Sequence, residues 1–422
     1  MDLTVINEVW RPVYGELVQG LRMLTPEWEN LKRLKNFSQL SPRAINWPVD
    51  LRFGGGIAAT EDGGSLARAE SASPVEATDT WKHFVGRFEV GFDELDAEGG
   101  SKFSEQEIEK QVRYQAADKL KSFRRAVAMM FYGKNTGVLF HVASADDGAD
   151  EIVVDNFYGV TGLAVPDRIR DYINPNHDYI AIHDTSSSDA ELVRAQVTEI
   201  DESTNTISLA SGTDLSGVAD GDKVVLANQV ITDEGSDLDR WMNGLLTLCR
   251  DTTVHGISSN DEPDWAAGVD ESGYGQALSG QDLYGFFEDI NQRSDHPVKW
   301  AWSTPGVIAA AGGPELDQRR YGSDEDTMRL GFKKLNVMGV MVEGRPYCPS
   351  GHLFLGSDTA LRKLSPDEGS PEPENVIETG EKAGSFQQYN NRLGFYKDQI
   401  FRAQLTAVSR LGLGVIDGIT EA

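Results

Sequence analysis

Residues 104–133 restrict the folding of this chain more than any other stretch. Ser104-Glu105-Gln106-Glu107 is a capping box, in which the serine hydroxyl and the glutamate carboxylate satisfy backbone N–H groups that lack partners in the first helical turn. Behind it Ile108, Val112, Ala116, Leu120, Phe123, Val127 and Met130 recur every three or four residues, which puts them on one apolar stripe as far as Gly133. At 1.5 Å per residue such a helix is about 43 Å long. That is well beyond an ordinary globular helix, so the sequence predicts a structural spine with other elements laid along it.

Before the spine, two extended runs, INWPVDLRFGGGIAA and WKHFVGRFEVGFDEL, flank the polar, small-residue tract TEDGGSLARAESASPVEATD. In the second run Phe84, Gly86, Phe88, Val90 and Phe92 share one parity and Val85, Arg87, Glu89 and Gly91 the other, the period-2 signature of a half-buried strand. The pattern predicts a long β-hairpin over residues 45–95. An isolated hairpin is marginal in water, and little nearby sequence is available to cover this one. Its apolar face is expected to rest on a neighbouring subunit. The first 44 residues form an arm with two short helices opened by Pro12 and Pro26, each at the first helical position where a missing N–H costs nothing.

After the spine, GVLFHVAS is expected to be a strand. Residues 151–230 then hold the short strands DYIAIHD, LVRAQVTEID, TISLAS and DKVVLAN, separated by Asn174-Pro175-Asn176, Asp201–Asn205 and Asp220-Gly221-Asp222. This spacing predicts a small all-β barrel or sandwich. The remainder is mixed α/β. Helices are expected at Leu238–Arg250 and Gln281–Arg293, with a short one after Thr304-Pro305. Strands are expected at VKWAWS, LNVMGVMVEG and HLFLGS, and again between Phe386 and Ile419.

Composition narrows the class. With 422 residues, 39% of them hydrophobic, the chain has apolar mass for two or three cores. No run of about 20 apolar residues is present, and the start carries no basic then apolar leader pattern. Cys249 and Cys348 stand alone, as expected of ordinary thiols. The net charge is −28, unevenly spread: residues 141–300 hold 31 acids against 8 bases, whereas residues 101–134 hold 8 bases against 4 acids. One part repels polyanions and another tolerates them. That distribution suits a shell with an acidic outside, and equally a salt-adapted or simply soluble surface.

Catalytic signatures are missing from the sequence. There is no GxSxG, HExxH, P-loop or CxxC pattern. His177-Asp178 and His183-Asp184 lack a third ligand for a metal, and Asp233, Asp237 and Asp239 lack the glycine and glutamate of a calcium loop. Gly54-Gly55-Gly56 and Gly63-Gly64 sit between strands, not at the start of a helix where a phosphate would be cradled. No catalytic residue, cofactor or metal is expected.

Taken in order, the arm, the long hairpin, the Ser104–Gly133 spine and the α/β part ending in paired strands resemble the tailed-phage major capsid proteins of the Hong Kong 97 type. The resemblance covers nearly the whole chain. It rests on element order and on loose patterns such as VKWAWSTPGVIAA and GRPYCPSGHLFLGS, without a single diagnostic motif. It implies an α+β fold with an arm at 1–44, an extended loop at 45–95 and a peripheral domain at 96–150 containing the spine. An inserted barrel-like domain would follow at 151–230, an axial domain at 231–385, and strands at 386–422 returning to the periphery.

The function implied is self-assembly, as hexamers and pentamers, into the icosahedral virion shell around double-stranded DNA, in the host cytoplasm. Implied partners are a portal protein, a separate scaffolding protein and a decoration protein, with no membrane. Trp10, Trp28, Trp47, Phe53, Arg68, Trp81, Phe84 and Phe88 become candidates for contacts between subunits. Lys110, Arg113, Lys121, Arg124 and Arg125 become candidates for facing packaged DNA, through contacts without sequence preference.

Two departures from the family pattern are informative. The hairpin starts after only about 45 residues, which implies no cleaved scaffolding segment, and Ala58–Thr80 contains no lysine, which implies no cross-linking through the loop. Two other readings fit the chain: an encapsulin-like compartment shell, and a soluble hydrolase or carbohydrate-binding protein using the Asp-rich β part.

Overall fold

The computed structural model describes residues 26–36, 45–51, 74–91, 122–185, 189–227, 238–311, 334–365, 377–379, 387–388 and 394–421. They fall into two compact units. The smaller contains the described residues of 26–33, 82–91, 122–128 and 377–403; the larger contains those of 34–81, 129–364 and 404–421.

In the smaller unit the strand Lys82–Gly91 pairs antiparallel with Gly394–Ala403, from Lys82 opposite Ala403 to Gly91 opposite Gly394. Ile377–Thr379 and Gln387–Gln388 pair with the same long strand. The helix Pro26–Arg33 opens on its proline, as its sequence predicts, and buries Trp28 and Leu31. Of the spine, residues 122–132 are helical and bury Phe123, Val127 and Met130 from the predicted stripe. The capping box and residues 104–121 lie outside the described residues.

The larger unit contains a closed barrel of six strands: Val138–Asp146, Glu151–Asp155, Glu191–Asp201, Thr206–Leu209, Tyr179–His183 and Lys223–Ala227. Directly opposed residues in an antiparallel pair share a face. The registers Val142 with Val154, Ile152 with Ile207, Ile200 with Ile207, and Ile182 with Val224 therefore set one continuous apolar lining. All of these residues are buried, each contributing about 1.5–3 kcal/mol of hydrophobic stabilisation. Closure leaves no free edge. The barrel starts earlier than the sequence predicts, because Val138–Asp146 pairs with both Glu151–Asp155 and Lys223–Ala227 and so closes the ring.

Beside it lies a six-stranded mixed sheet, ordered Val269–Glu271, Gly414–Ile416, Leu353–Gly356, Trp300–Ser303, Val340–Gly344, Lys334–Val337. The helix Gly280–Arg293 starts with a complete capping box between Ser279 and Asp282 and turns Leu283, Phe287 and Ile290 toward the sheet. There they meet Ala301, Val342, Leu353, Leu355 and Ile416, together with Val307 and Ile308 of the helical residues 305–311. On the opposite face Trp300 and Trp302 stack at 3.7 Å, with Phe131 against Trp302 and Tyr132 against Phe354.

Three sequence expectations are corrected here. LNVMGVMVEG is a hairpin and not one strand, turning at Met338 and Gly339, both of positive φ. The expected helix 238–250 is α-helical only over Leu245–Arg250, since Gly244 is extended (φ −102°, ψ 178°) and caps it; Gly244 also lies against the carbonyls of Met130 and Gly133, where a side chain has no room. That short helix is closed by Arg410, whose buried guanidinium donates to the carbonyls of Leu248, Cys249 and Asp251 at 2.6, 3.1 and 2.8 Å. Finally, residues 414–416 join the six-stranded sheet and do not continue the terminal strand Gly394–Ala407.

Candidate functional site

The largest difference between sequence and structure lies at the hairpin. Ile45–Val49 is indeed a strand, but its partner is Val75–Asp79, with Ile45 opposite Asp79, Trp47 opposite Ala77 and Val49 opposite Val75. The run at 82–91, expected as the second arm, pairs with Gly394–Ala403 instead. VEATD has weak strand character; what holds it extended is a small residue, Ala77, fitting beneath Trp47. The described part of the hairpin is thus a short root, 45–49 paired with 75–79, and residues 52–73 lie outside the described residues.

The apolar face of this root is filled by its own chain. Ile45, Trp47, Val49 and Ala77 pack with Ile257, Trp265 and Leu364. The expectation that a neighbouring subunit covers that face is therefore corrected for the root. Pro48, which cannot donate to a ladder, faces solvent on the strand that has no second neighbour, where proline is tolerated.

Beside this core sits a buried polar hub. Asp79 ends the root strand, and its Oδ2 lies 2.9 Å from Nδ1 of His255. It also accepts from the side-chain amide of Asn243 at 3.0 Å on Oδ2, and from Gln404 at 3.1 Å and the Thr80 backbone at 2.7 Å on Oδ1. The second nitrogen of His255, Nε2, accepts the backbone N–H of Ala407 at 3.1 Å, and the His255 carbonyl accepts from Thr78 at 2.9 Å. A ring that accepts at Nε2 carries its proton on Nδ1, so Nδ1 donates to the carboxylate. Trp47 and Trp265 close around the ring at 5.2 and 6.3 Å between centroids.

An aspartate–histidine pair invites comparison with a catalytic dyad, but the chemistry here is that of a tie. A general base needs a free nitrogen facing a substrate. In His255 both nitrogens are engaged and the side chain is 1% exposed. Elsewhere, His183 is buried, with Nδ1 3.0 Å from the Asp189 carbonyl. Among the described residues no cluster of three or more His, Cys, Asp or Glu side chains has metal-site geometry.

The residues singled out from the sequence are dispersed. Trp28 is buried in the smaller unit with the Arg124 guanidinium 6.0 Å from its ring centroid. Trp47 is in the root core, and Trp81 and Phe84 are half-buried. Phe88 lies on the strand opposite Lys397. Arg125 is 7% exposed, so it does not present a free cation on the surface of the chain. Trp10, Phe53, Arg68, Lys110, Arg113 and Lys121 lie outside the described residues. The hub residues Asp79, Asn243, His255 and Gln404 carried no signal in the sequence. Asn243 and Gln404 lie 164 and 325 positions from Asp79, and no short-range pattern links them.

No protein-family model matches this sequence, and no curated protein matches it. Solved structures do. A chain of the cyanophage A-1(L) capsid asymmetric unit aligns over 96% of both chains with a TM-score of 0.55 and 14% identity. A capsid chain of a native GTA particle aligns over 100% of both at 0.46 and 11%. The holo-SrpI encapsulin complex of Synechococcus elongatus PCC 7942 aligns over 99% of this chain and 95% of its own at 0.41 and 10%. Agreement over almost the entire length, at so low an identity, is agreement of architecture, and by it this chain has the fold of the cyanophage A-1(L) capsid chain.

Proposed function

We propose that this protein is a viral capsid subunit, a structural protein and not an enzyme, that assembles with copies of itself into a closed shell around double-stranded DNA. The observation that carries this reading is the end-to-end match with the cyanophage capsid chain. The order of the described elements supports it: a short helix at 26–33, a strand pair at 45–49 and 75–79, a helix at 122–132 and an α/β sheet. In the finer form of the proposal the fold is of the Hong Kong 97 type, with the arm at 1–44, extended loop at 45–95, peripheral domain at 96–150, axial domain at 231–385 and terminal strands at 386–422. The barrel, residues 138–227, is an insertion in that fold and begins before the 151–230 expected from the sequence. Its acidic strands and turns favour a place on the outer surface, away from the polyanion inside.

The same reading makes residues 52–73, with Trp81 and Phe84, the contact with the next subunit. It includes a portal protein, a separate scaffolding protein and a decoration protein as partners. Because Ala58–Thr80 has no lysine, the shell is held by non-covalent contacts and its subunits run as single chains on a denaturing gel.

Negative-stain electron microscopy of the purified protein tests the proposal, with closed particles as the expected result. Deleting residues 56–73 spares the root strand Val75–Asp79 and should leave a folded chain that forms no particles. Normal shells from that deletion would overturn the role of the loop. Uniform monomers from the intact chain under all assembly conditions would overturn the function itself, and closed shells that exclude DNA and retain a protein cargo would favour a compartment.

A further inference from the structure

We propose that Asp79 and His255 form a coupling element which ties the root of the 52–73 loop to the end of the strand Gly394–Ala407, so that opening either one loosens the other.

Three features of the hub point the same way. First, the hub joins segments far apart in the sequence, alongside an apolar link through Leu364, which packs in the root core and pairs with Gln404. The carboxylate of Asp79, on the root strand, receives His255, Asn243 and Gln404, while the same imidazole receives the Ala407 amide. The Asn243 side chain also donates to the Leu405 carbonyl at 3.3 Å, and its backbone N–H donates to Gln404 Oε1 at 2.7 Å. Every bond within the hub therefore leads from the root to residues 404–407 within two steps.

Second, His255 occupies a strained position. It is the first residue of a two-residue turn between Thr253–Val254 and Ile257–Ser258, with φ of 54° followed by 79° at Gly256. Turns of this shape favour Asn-Gly, and a histidine there costs conformational energy. The ring compensates for that strain by making bonds on both of its nitrogens. Third, the His255 side chain is 1% exposed and the Asp79 side chain 11%, with Trp47 and Trp265 edge-on to the imidazole, so an unmatched donor or acceptor there has little water to turn to. Losing one bond therefore strands its neighbour, which is what makes the ends interdependent.

This inference deepens the capsid reading, since it concerns the loop through which subunits are proposed to join, but its physical claim is about one chain. Two substitutions probe it from opposite ends. His255→Asn gives the turn its favoured residue and removes the imidazole. Asp79→Asn keeps the shape of the side chain and replaces an acceptor by a donor facing donors. Hydrogen exchange read by mass spectrometry would follow three peptides, covering 75–80, 403–408 and the barrel strand 191–201.

Coupling is reciprocal. Each substitution should speed exchange about tenfold or more in both of the first two peptides and leave the barrel peptide unchanged. Both should also reduce the yield of closed particles. Changes confined to 403–408 in His255→Asn and to 75–80 in Asp79→Asn would overturn the coupling. So would equal loss of protection in the barrel, which would make the hub a general stabiliser. If the parent chain forms no particles, the capsid reading fails while the exchange pattern still decides the coupling.

Discussion

The barrel and the hairpin root are both small, antiparallel and lined by one apolar face, yet they are stabilised in opposite ways. Each barrel strand has two neighbours drawn from residues 138–227, and the lining comes from the strands themselves. The root has two strands. It takes Ile257, Trp265 and Leu364 for its core, and Asn243, His255 and Gln404 for its polar bonds, from segments far along the chain. A self-closing unit can vary at its surface without disturbing its surroundings. A root assembled from distant pieces senses each of them.

The strongest way to break this comparison is at Trp265, fully buried beneath the root with its Nε1 donating to the Val254 carbonyl at 3.1 Å. Trp265→Ala should cost about 3–5 kcal/mol, measured by urea denaturation. Exchange should rise first in residues 45–51 and 74–79, with the barrel lagging. Simultaneous loss in both would show that the barrel depends on the root after all. The reciprocal substitution, Ile207→Ala, empties a buried position opposite both Ile152 and Ile200. It should cost about 3 kcal/mol and leave exchange at the root unchanged below the unfolding transition.

Acid sharpens the contrast. Burial, the largest influence, holds the pKa of His141 on the barrel below its ordinary value of 6.5, against the opposing pull of Asp155. The unfolded chain then binds a proton more readily than the folded one, so this contribution is complete above pH 6.5 and is lost as pH falls through the folded value. Lowering the pH from 7 to 5 should reduce the barrel's melting temperature, and His141→Gln should flatten that slope. An unchanged slope in the variant would remove His141 from the account. The smallest effect is expected at Arg194, whose two bonds to Glu191, at 2.8 and 2.6 Å, hold that carboxyl below the usual carboxylate range. The pair lies at the barrel surface with 11% and 24% of its two side chains exposed, and Arg194→Met should change stability by no more than about 1 kcal/mol.

Much of this protein was legible before its tertiary structure. Five of the six barrel strands, the helix at 280–293, the strand WAWS and the proline that opens Pro26–Arg33 follow from periodicity, caps and turns, which act within a few residues, whereas the strand Glu151–Asp155 was not foreseen. The partner of a strand is a different matter. INWPV and WKHFVGRFEV present equivalent edges, and flanking a polar tract makes them look like one hairpin. The misleading element was VEATD: its single buried residue, Ala77, is invisible as a strand signal but matches Trp47 in space. The candidate contact residues were chosen as large aromatics and cations, and three of them, Trp28, Trp47 and Arg125, are covered by their own chain. The hub escaped notice because aspartate, asparagine, histidine and glutamine look ordinary singly and become a site only when brought together.

The sequence by itself determined most of the helices and strands, where most of them turn and which faces are apolar, because those properties depend on neighbours a few positions apart. Only the tertiary structure decided that Val75–Asp79 pairs with Ile45–Val49, that Lys82–Gly91 pairs with the terminal strand, and that Gly414–Ile416 enters the six-stranded sheet. Backbone edges are chemically alike, so the choice among them falls to the total apolar area buried and to whether every enclosed polar group finds a partner. Both are properties of the whole fold.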